Sequence, residues 1–166
     1  MFWFKSGCGS LMRVIFLDIV GGLNFDSSAA RTQSGYLGIA EPCVKKLKKI
    51  VDATGAKIVL TSTWKEWWSI NDDLKTIDGI YMEKKLVRHG LHIMTKTEDM
   101  TFNRGEGIRK WLESKPHVSH WVVLDDIVFK DFEQFDILSN LVLTNPEQGL
   151  TDDDVEKAIE ILGGNE

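Results

Sequence analysis

The stretch Arg13-Val14-Ile15-Phe16-Leu17-Asp18-Ile19-Val20-Gly21-Gly22 decides the fold. Its apolar run leaves no polar face, stops at a carboxylate and is followed by two glycines. That is the pattern of a strand buried on both sides, as in a parallel sheet, entering a tight loop at its carboxyl end.

Working outward, Ala56-Lys57-Ile58-Val59-Leu60 reads as a second buried strand, running into Thr61-Ser62-Thr63. Residues 120–124 form another strand that ends in Asp125-Asp126, and Leu141-Val142-Leu143 a last short one. Leu91-His92-Ile93-Met94 reads as a short strand with polar loops on either side. Glu41-Pro42 opens a helix, with proline at a tolerated first-turn position. It keeps Val44, Leu47, Ile50 and Val51 on one stripe and ends at Thr54-Gly55. A Trp-rich helix is expected over residues 64–74, and another over 106–113 with Ile108, Trp111 and Leu112 on one face. Gly149-Leu150-Thr151 leads into a closing helix, where Thr151 caps and Asp154 sits three residues on.

Strands alternating with helices imply an α/β fold in three layers, Rossmann-like, with a mostly parallel central sheet. Residues 24–40 are small and polar and are expected to form a flap, with 66–103 as a second candidate; no large cap domain is expected. A chain of 166 residues suits one core, assigned to residues 12–166 after an N-terminal extension over 1–11.

A net charge of −5 argues against a protein that coats nucleic acid non-specifically, yet leaves room for a local basic pocket that grips one phosphate. Two cysteines, Cys8 and Cys43, cannot build a disulfide framework and read as reduced thiols of a cytoplasmic protein. No apolar run approaches the roughly 18 residues that a membrane helix needs. No stable protein partner is expected.

Three strands end in polar residues of a particular kind: Asp18 after the first, Thr61 and Ser62 after the second, Asp125 and Asp126 after the fourth. In an open parallel sheet, ligands bind in the crevice outside the carboxyl ends of the strands, so these residues converge there. The order of carboxylate, hydroxyl and paired carboxylate fits phosphoryl transfer. A carboxylate can attack phosphorus and split one difficult displacement into two easier ones. Two anions repel, so a hard cation must intervene, and Mg²⁺ suits one or two carboxylates plus phosphate and water. A hydroxyl and a cationic side chain then hold the remaining phosphoryl charge. The candidate cation is Arg104, in Asn103-Arg104-Gly105-Glu106-Gly107-Ile108.

These residues carry a family resemblance. Phe16-Leu17-Asp18-Ile19-Val20-Gly21-Gly22-Leu23-Asn24 resembles the first motif of the HAD (haloacid dehalogenase-like) superfamily, Asp-x-Asp-Gly-(Thr or Val)-(Leu or Val). Ile58-Val59-Leu60-Thr61-Ser62-Thr63-Trp64-Lys65 looks like the second motif, and Arg104 stands where the third places a Lys or Arg. Val122-Val123-Leu124-Asp125-Asp126 is similar to the fourth. Adding Arg104-Gly-x-x-Ile-x-x-Trp-Leu and the late Gly-Leu-Thr helix, residues 12–162 look closest to HAD domains associated with RNA-repair proteins and their phage and bacterial relatives. The resemblance implies Asp18 as nucleophile and metal ligand. It implies a Mg²⁺ sphere completed by the Val20 backbone carbonyl and by Asp125 or Asp126. Thr61 would bind phosphate, with Ser62 the substitute if the register shifts by one, and Arg104 would pair with the phosphoryl group. The implied substrate is a phosphorylated small molecule, nucleotide or nucleic-acid end.

One position departs from the pattern. The family's second aspartate, which protonates the leaving oxygen and later activates water, is Val20 here. Losing a general acid/base costs about 10²–10⁴-fold in rate. Gly22 takes the Thr/Val position, and the glycine pair adds backbone freedom beside the nucleophile. Three readings stay open: a weak phosphatase, an enzyme for substrates whose leaving group needs no proton, and a catalytically inactive HAD-fold binding or regulatory protein.

Other signals have plainer explanations. Trp64, Trp67 and Trp68 could stack on bases, but their spacing suits one packed helical face. His117 and His120 lack a nearby Cys or Glu and read as surface or loop histidines. Lys45, Lys46, Lys48 and Lys49 mostly face water on an amphipathic helix, and Asp152-Asp153-Asp154 is a helix start.

Overall fold

The computed structural model describes residues 11–99 and 102–164. The expected extension over residues 1–11, and Cys8 with it, lies outside the described residues apart from Leu11.

Five strands form one parallel sheet in the order β3-β2-β1-β4-β5. They are β1 (Met12–Leu17), β2 (Lys57–Leu60), β3 (Ile93–Lys96), β4 (Val118–Asp125) and β5 (Leu141–Leu143). Among the described residues four helices cover it: α1 (Glu41–Thr54), α2 (Ile77–Val87), α3 (Arg104–Glu113) and α4 (Asp152–Ile161). The three-layer α/β architecture expected from the sequence is present, with no large cap among the described residues.

Side chains alternate across the strands with period two, which splits the core in two. Ile15, Leu17, Ile58, Leu60, Val122 and Leu124 pack with the apolar stripes of α1, α2 and α4. Val14, Phe16, Val59 and Val123 point the other way, onto Ile108 of α3 and Phe132 and Ile137 of the loop after β4. Continuing that second phase by one step reaches Asp18, Thr61 and Asp125. The three strand-end residues therefore fall on one side of the sheet, the side that α3 covers.

Caps mark the helix boundaries. Gly55, in the left-handed region at φ 68°, ends α1, and Thr151 with Asp154 forms a capping box on α4. Trp64 and Trp68 are buried in the larger core, as their spacing suggested.

Several local expectations are corrected. The single helix expected over 64–74 is two short 3₁₀ turns, Thr63–Trp67 and Asp72–Leu74. Side chains of Ser62 and Asn71 accept the amides of Trp64 and Asp73, offering the backbone local bonds in place of a continuous helix. The polar loop expected before residue 91 is α2, which starts where Thr76 accepts the Gly79 amide. Its exposed Ile77, Ile80 and Val87 blur the one-sided pattern that reveals a helix. The second flap candidate, 66–103, thus carries α2 and the edge strand β3 of the fold itself. Helix α3 begins at Arg104 rather than Glu106, and β4 spans 118–125, so His120 is a half-buried strand residue rather than a loop one.

The flap over 24–40 contains one antiparallel bridge, Arg31 to Leu37. It is fastened to α2, where Asp78 accepts the Ser34 amide and the Tyr81 hydroxyl accepts the Ile39 amide. Tyr36 lies against Trp67 with ring centroids 5.0 Å apart.

Candidate active site

The sheet's hydrogen-bond ladder extends one residue beyond the strands and fixes the site. Asp18 donates its amide to Leu124, Thr61 to Leu17, and Thr144 to Asp125. Asp18, Thr61, Ser62, Arg104 and Asp125 are each at least 95% buried.

Ligand atoms of Asp18, Asp125 and Asp126 all lie within 4.8 Å of one another. Arg104 closes the group, with Nη1 2.6 Å from Asp125 Oδ2 and 3.6 Å from Asp18 Oδ1. Burial pushes the Asp18 carboxyl well above the usual carboxylate range, and repulsion from Asp125 and Asp126 adds to this against the pull of Arg104 and a Ser62 hydrogen bond. Asp125 is raised too, by burial first and by Asp126, with Arg104 and the Ile127 amide opposing. One guanidinium does not neutralise three carboxylates.

A divalent cation fits that deficit. Among the described residues, buried atoms without a partner support the same reading: Asp126 Oδ1, Thr61 Oγ1 and Arg104 Nε. An acceptor beside a cation site, and two donors beside it, are what a metal and a phosphoryl group would satisfy together. Ser62 differs from Thr61, because its hydroxyl already accepts the Trp64 amide and bonds Asp18.

The loop after β1 is tightly constrained. Gly21 has φ 72°, and a Cβ there would lie 2.6 Å from the Asp126 side chain. A Cβ on Gly22 would stand 2.7 Å from the Asp18 carbonyl oxygen. Asn24 accepts the Gly21 amide at 2.8 Å. The glycine pair permits close approach rather than loosening the loop. Val20 is 40% exposed, so an apolar side chain stands at the mouth.

Three supports were not foreseen. Asp131 accepts the amides of Gly105 and Glu106 at 3.1 and 2.9 Å, capping α3 from the loop after β4. Phe129 of the same loop lies under Arg104, 4.3 Å from guanidinium carbon to ring centroid. A cap borrowed from a residue 26 positions away leaves no local signature, and Asn103, at the sequential cap position, makes no capping bond. Lys65 and Asp99 form a buried ion pair at 2.7 Å that ties the turn after β2 to the loop after β3. Lys65 stood within the quoted motif but has no apolar-pattern signal of its own.

Among the described residues no helix is long and apolar enough to cross a membrane. Residues 14–155 match the model of the family described as the HAD domain in Swiss Army Knife RNA repair proteins. No curated protein and no solved structure matches the chain. With the match spanning most of its length and the acidic triad in place, the chain belongs to the HAD domain family of Swiss Army Knife RNA repair proteins.

Proposed function

We propose that the crevice is a Mg²⁺-dependent phosphohydrolase centre that works through an aspartyl-phosphate on a phosphorylated nucleotide or nucleic-acid end. The observation that supports this most is the buried triad with unpartnered Thr61 Oγ1, Arg104 Nε and Asp126 Oδ1 around it. Asp18, Asp125 or Asp126 and the Val20 carbonyl would hold the cation, which when bound would offset phosphate charge.

Asp18 then attacks phosphorus, forming a carboxylate–phosphorus bond as the bond to the leaving oxygen breaks. Thr61 donates its free hydroxyl to one phosphoryl oxygen. Arg104 keeps Asp125 through Nη1 and donates Nε–H to another. The leaving oxygen departs as an anion, since Val20 has no proton to give. Water next attacks the same phosphorus, releasing phosphate and restoring the Asp18 carboxylate, with its surplus proton passing to solvent. Both halves are slow without an acid/base at position 20, by about 10²–10⁴-fold for poor leaving groups. A buried, unpaired Cys43 suits a reducing cytoplasmic setting.

Val20 also supports a second reading, a HAD-fold binding or regulatory protein without turnover. Phosphate release from a nucleotide panel and from 3′- and 5′-phosphorylated oligonucleotides, with and without Mg²⁺, separates the two. Activity in wild type or Val20→Asp that Asp18→Asn abolishes supports the enzyme; silence in both favours the binder.

A further inference from the structure

Helix α2 presents an outward row of apolar and cationic side chains. Its buried residues, Asp78, Gly79, Met82 and Leu86, face the protein. Ile77, Ile80, Tyr81, Lys84, Lys85 and Arg88 recur at helical spacing and line a groove of about 300 Å³, with Gln33 of the flap on its other wall. A smaller hollow shares Lys85 and Arg88 and is lined also by Val44, His89 and Glu41, whose carboxylate lies 3.6 Å from His89.

The stripe is graded. At the N-terminal end Ile77 and Ile80 are 53% and 39% exposed, and at the other end three cations follow. The helix's own carboxylates are engaged elsewhere: Asp78 holds the Ser34 amide, and Glu83 holds Trp68 Nε1 and Lys75. Among the described residues, no carboxylate pairs with Lys84, Lys85 or Arg88, in a chain of net charge −5. Cations in a last helical turn complement the helix dipole, which accounts for charge there. It does not account for solvent-facing isoleucines in the same row.

The groove also has a direction. Thr61 and Ser62 lead into the turn Thr63–Trp67, and the Trp67 carbonyl accepts the Thr76 amide at the start of α2. A helix between parallel strands runs back from their carboxyl edge, so the apolar end lies at the edge that holds Asp18 and the cationic end leads away.

We propose that this stripe is a track for single-stranded polynucleotide, with bases on the apolar end and backbone phosphates on Lys84, Lys85 and Arg88. A strand with unpaired bases presents both flat apolar faces and regularly spaced charge, which the gradient complements. The proposal rests on reading the Asp18 crevice as the seat of a phosphorylated end, but the groove's binding is measured apart from turnover.

The test is fluorescence anisotropy with a labelled uridine RNA of about 12 nucleotides bearing hydroxyl ends. Proteins are wild type, the triple variant Lys84→Glu/Lys85→Glu/Arg88→Glu, the double Ile77→Ser/Ile80→Ser, and a control on other elements, Lys115→Glu/Lys157→Glu. The triple is expected to lose about tenfold or more in affinity, and its salt slope to fall by about 2, since each single-strand phosphate contact carries about 0.7. The serine double should weaken binding at an unchanged slope. Should the triple misfold by circular dichroism, Arg88→Glu alone is read for a slope change of about 0.7. Equal binding by triple and wild type overturns the track, as does equal loss in the control. Equal affinity for a duplex of the same length or for an acidic peptide overturns it too. A track that holds while phosphate release is absent sinks the phosphohydrolase reading alone; turnover without the slope change sinks the track alone.

Discussion

Arg104 donates to Asp125 at 2.6 Å, and both side chains are almost completely buried. This pair joins the start of α3 to the end of β4, and among the described residues Arg104 Nε has no hydrogen-bond partner. Removing one member strands the other as an uncompensated charge. Arg104→Met should therefore cost about 3–5 kcal/mol in urea unfolding of the metal-free protein. A loss within experimental error of zero would show that Asp125 is neutral in the folded state and does not need the guanidinium.

The raised Asp18 carboxyl makes a pH prediction. A carboxyl whose folded value lies above its unfolded one contributes stability while protonated, below the unfolded value, and that contribution is lost as pH rises through the folded value. Metal-free wild type should thus lose stability as pH climbs past the ordinary carboxylate range, and Asp18→Asn should lose less, keeping only the share due to Asp125. Mg²⁺ competes with those protons, so its stabilisation of wild type should grow over the same interval and be smaller in the variant. Thermal melts across a pH series, with and without Mg²⁺, read both effects. Parallel curves for the two proteins would contradict the assignment.

The exposed Val20 ties rate to the leaving group. If no side chain protonates the departing oxygen, turnover of aryl phosphates should fall steeply as the phenol becomes less acidic. Val20→Asp should flatten that dependence and speed the poorest leaving groups most, by about 10²-fold or more. An equally steep dependence in both proteins would mean that position 20 does not reach the leaving oxygen.

Asp131 positions Arg104 through the first amides of α3. Asp131→Ala should cost about 1 kcal/mol of stability, the usual scale for a lost cap. It should also weaken binding of inorganic phosphate, which a purely structural loss elsewhere would not do. Asp131→Asn, which retains one acceptor, should recover part of both. Unchanged phosphate affinity in the alanine variant would confine Asp131 to a structural role.

The site was legible where its residues continue a local pattern. Asp18, Thr61 and Asp125 each extend an alternating strand by one step, and period two places them on one face without reference to any distant contact. Helix α2 was not legible, because its outward row carries Ile77 and Ile80 as well as lysines and so mimics neither a core helix nor a solvated one.

From the sequence alone come the parallel sheet, the order of the strand-end acids and hydroxyls, and the missing aspartate at position 20, since burial of continuous apolar runs and one-residue motifs are properties of short segments. Only the tertiary structure decides that Arg104 pairs with Asp125, that Asp131 caps α3, and that Gly21 must lack a side chain against Asp126. Those contacts join residues far apart in the chain, and their energies come from desolvation and close approach that exist only after the sheet has assembled.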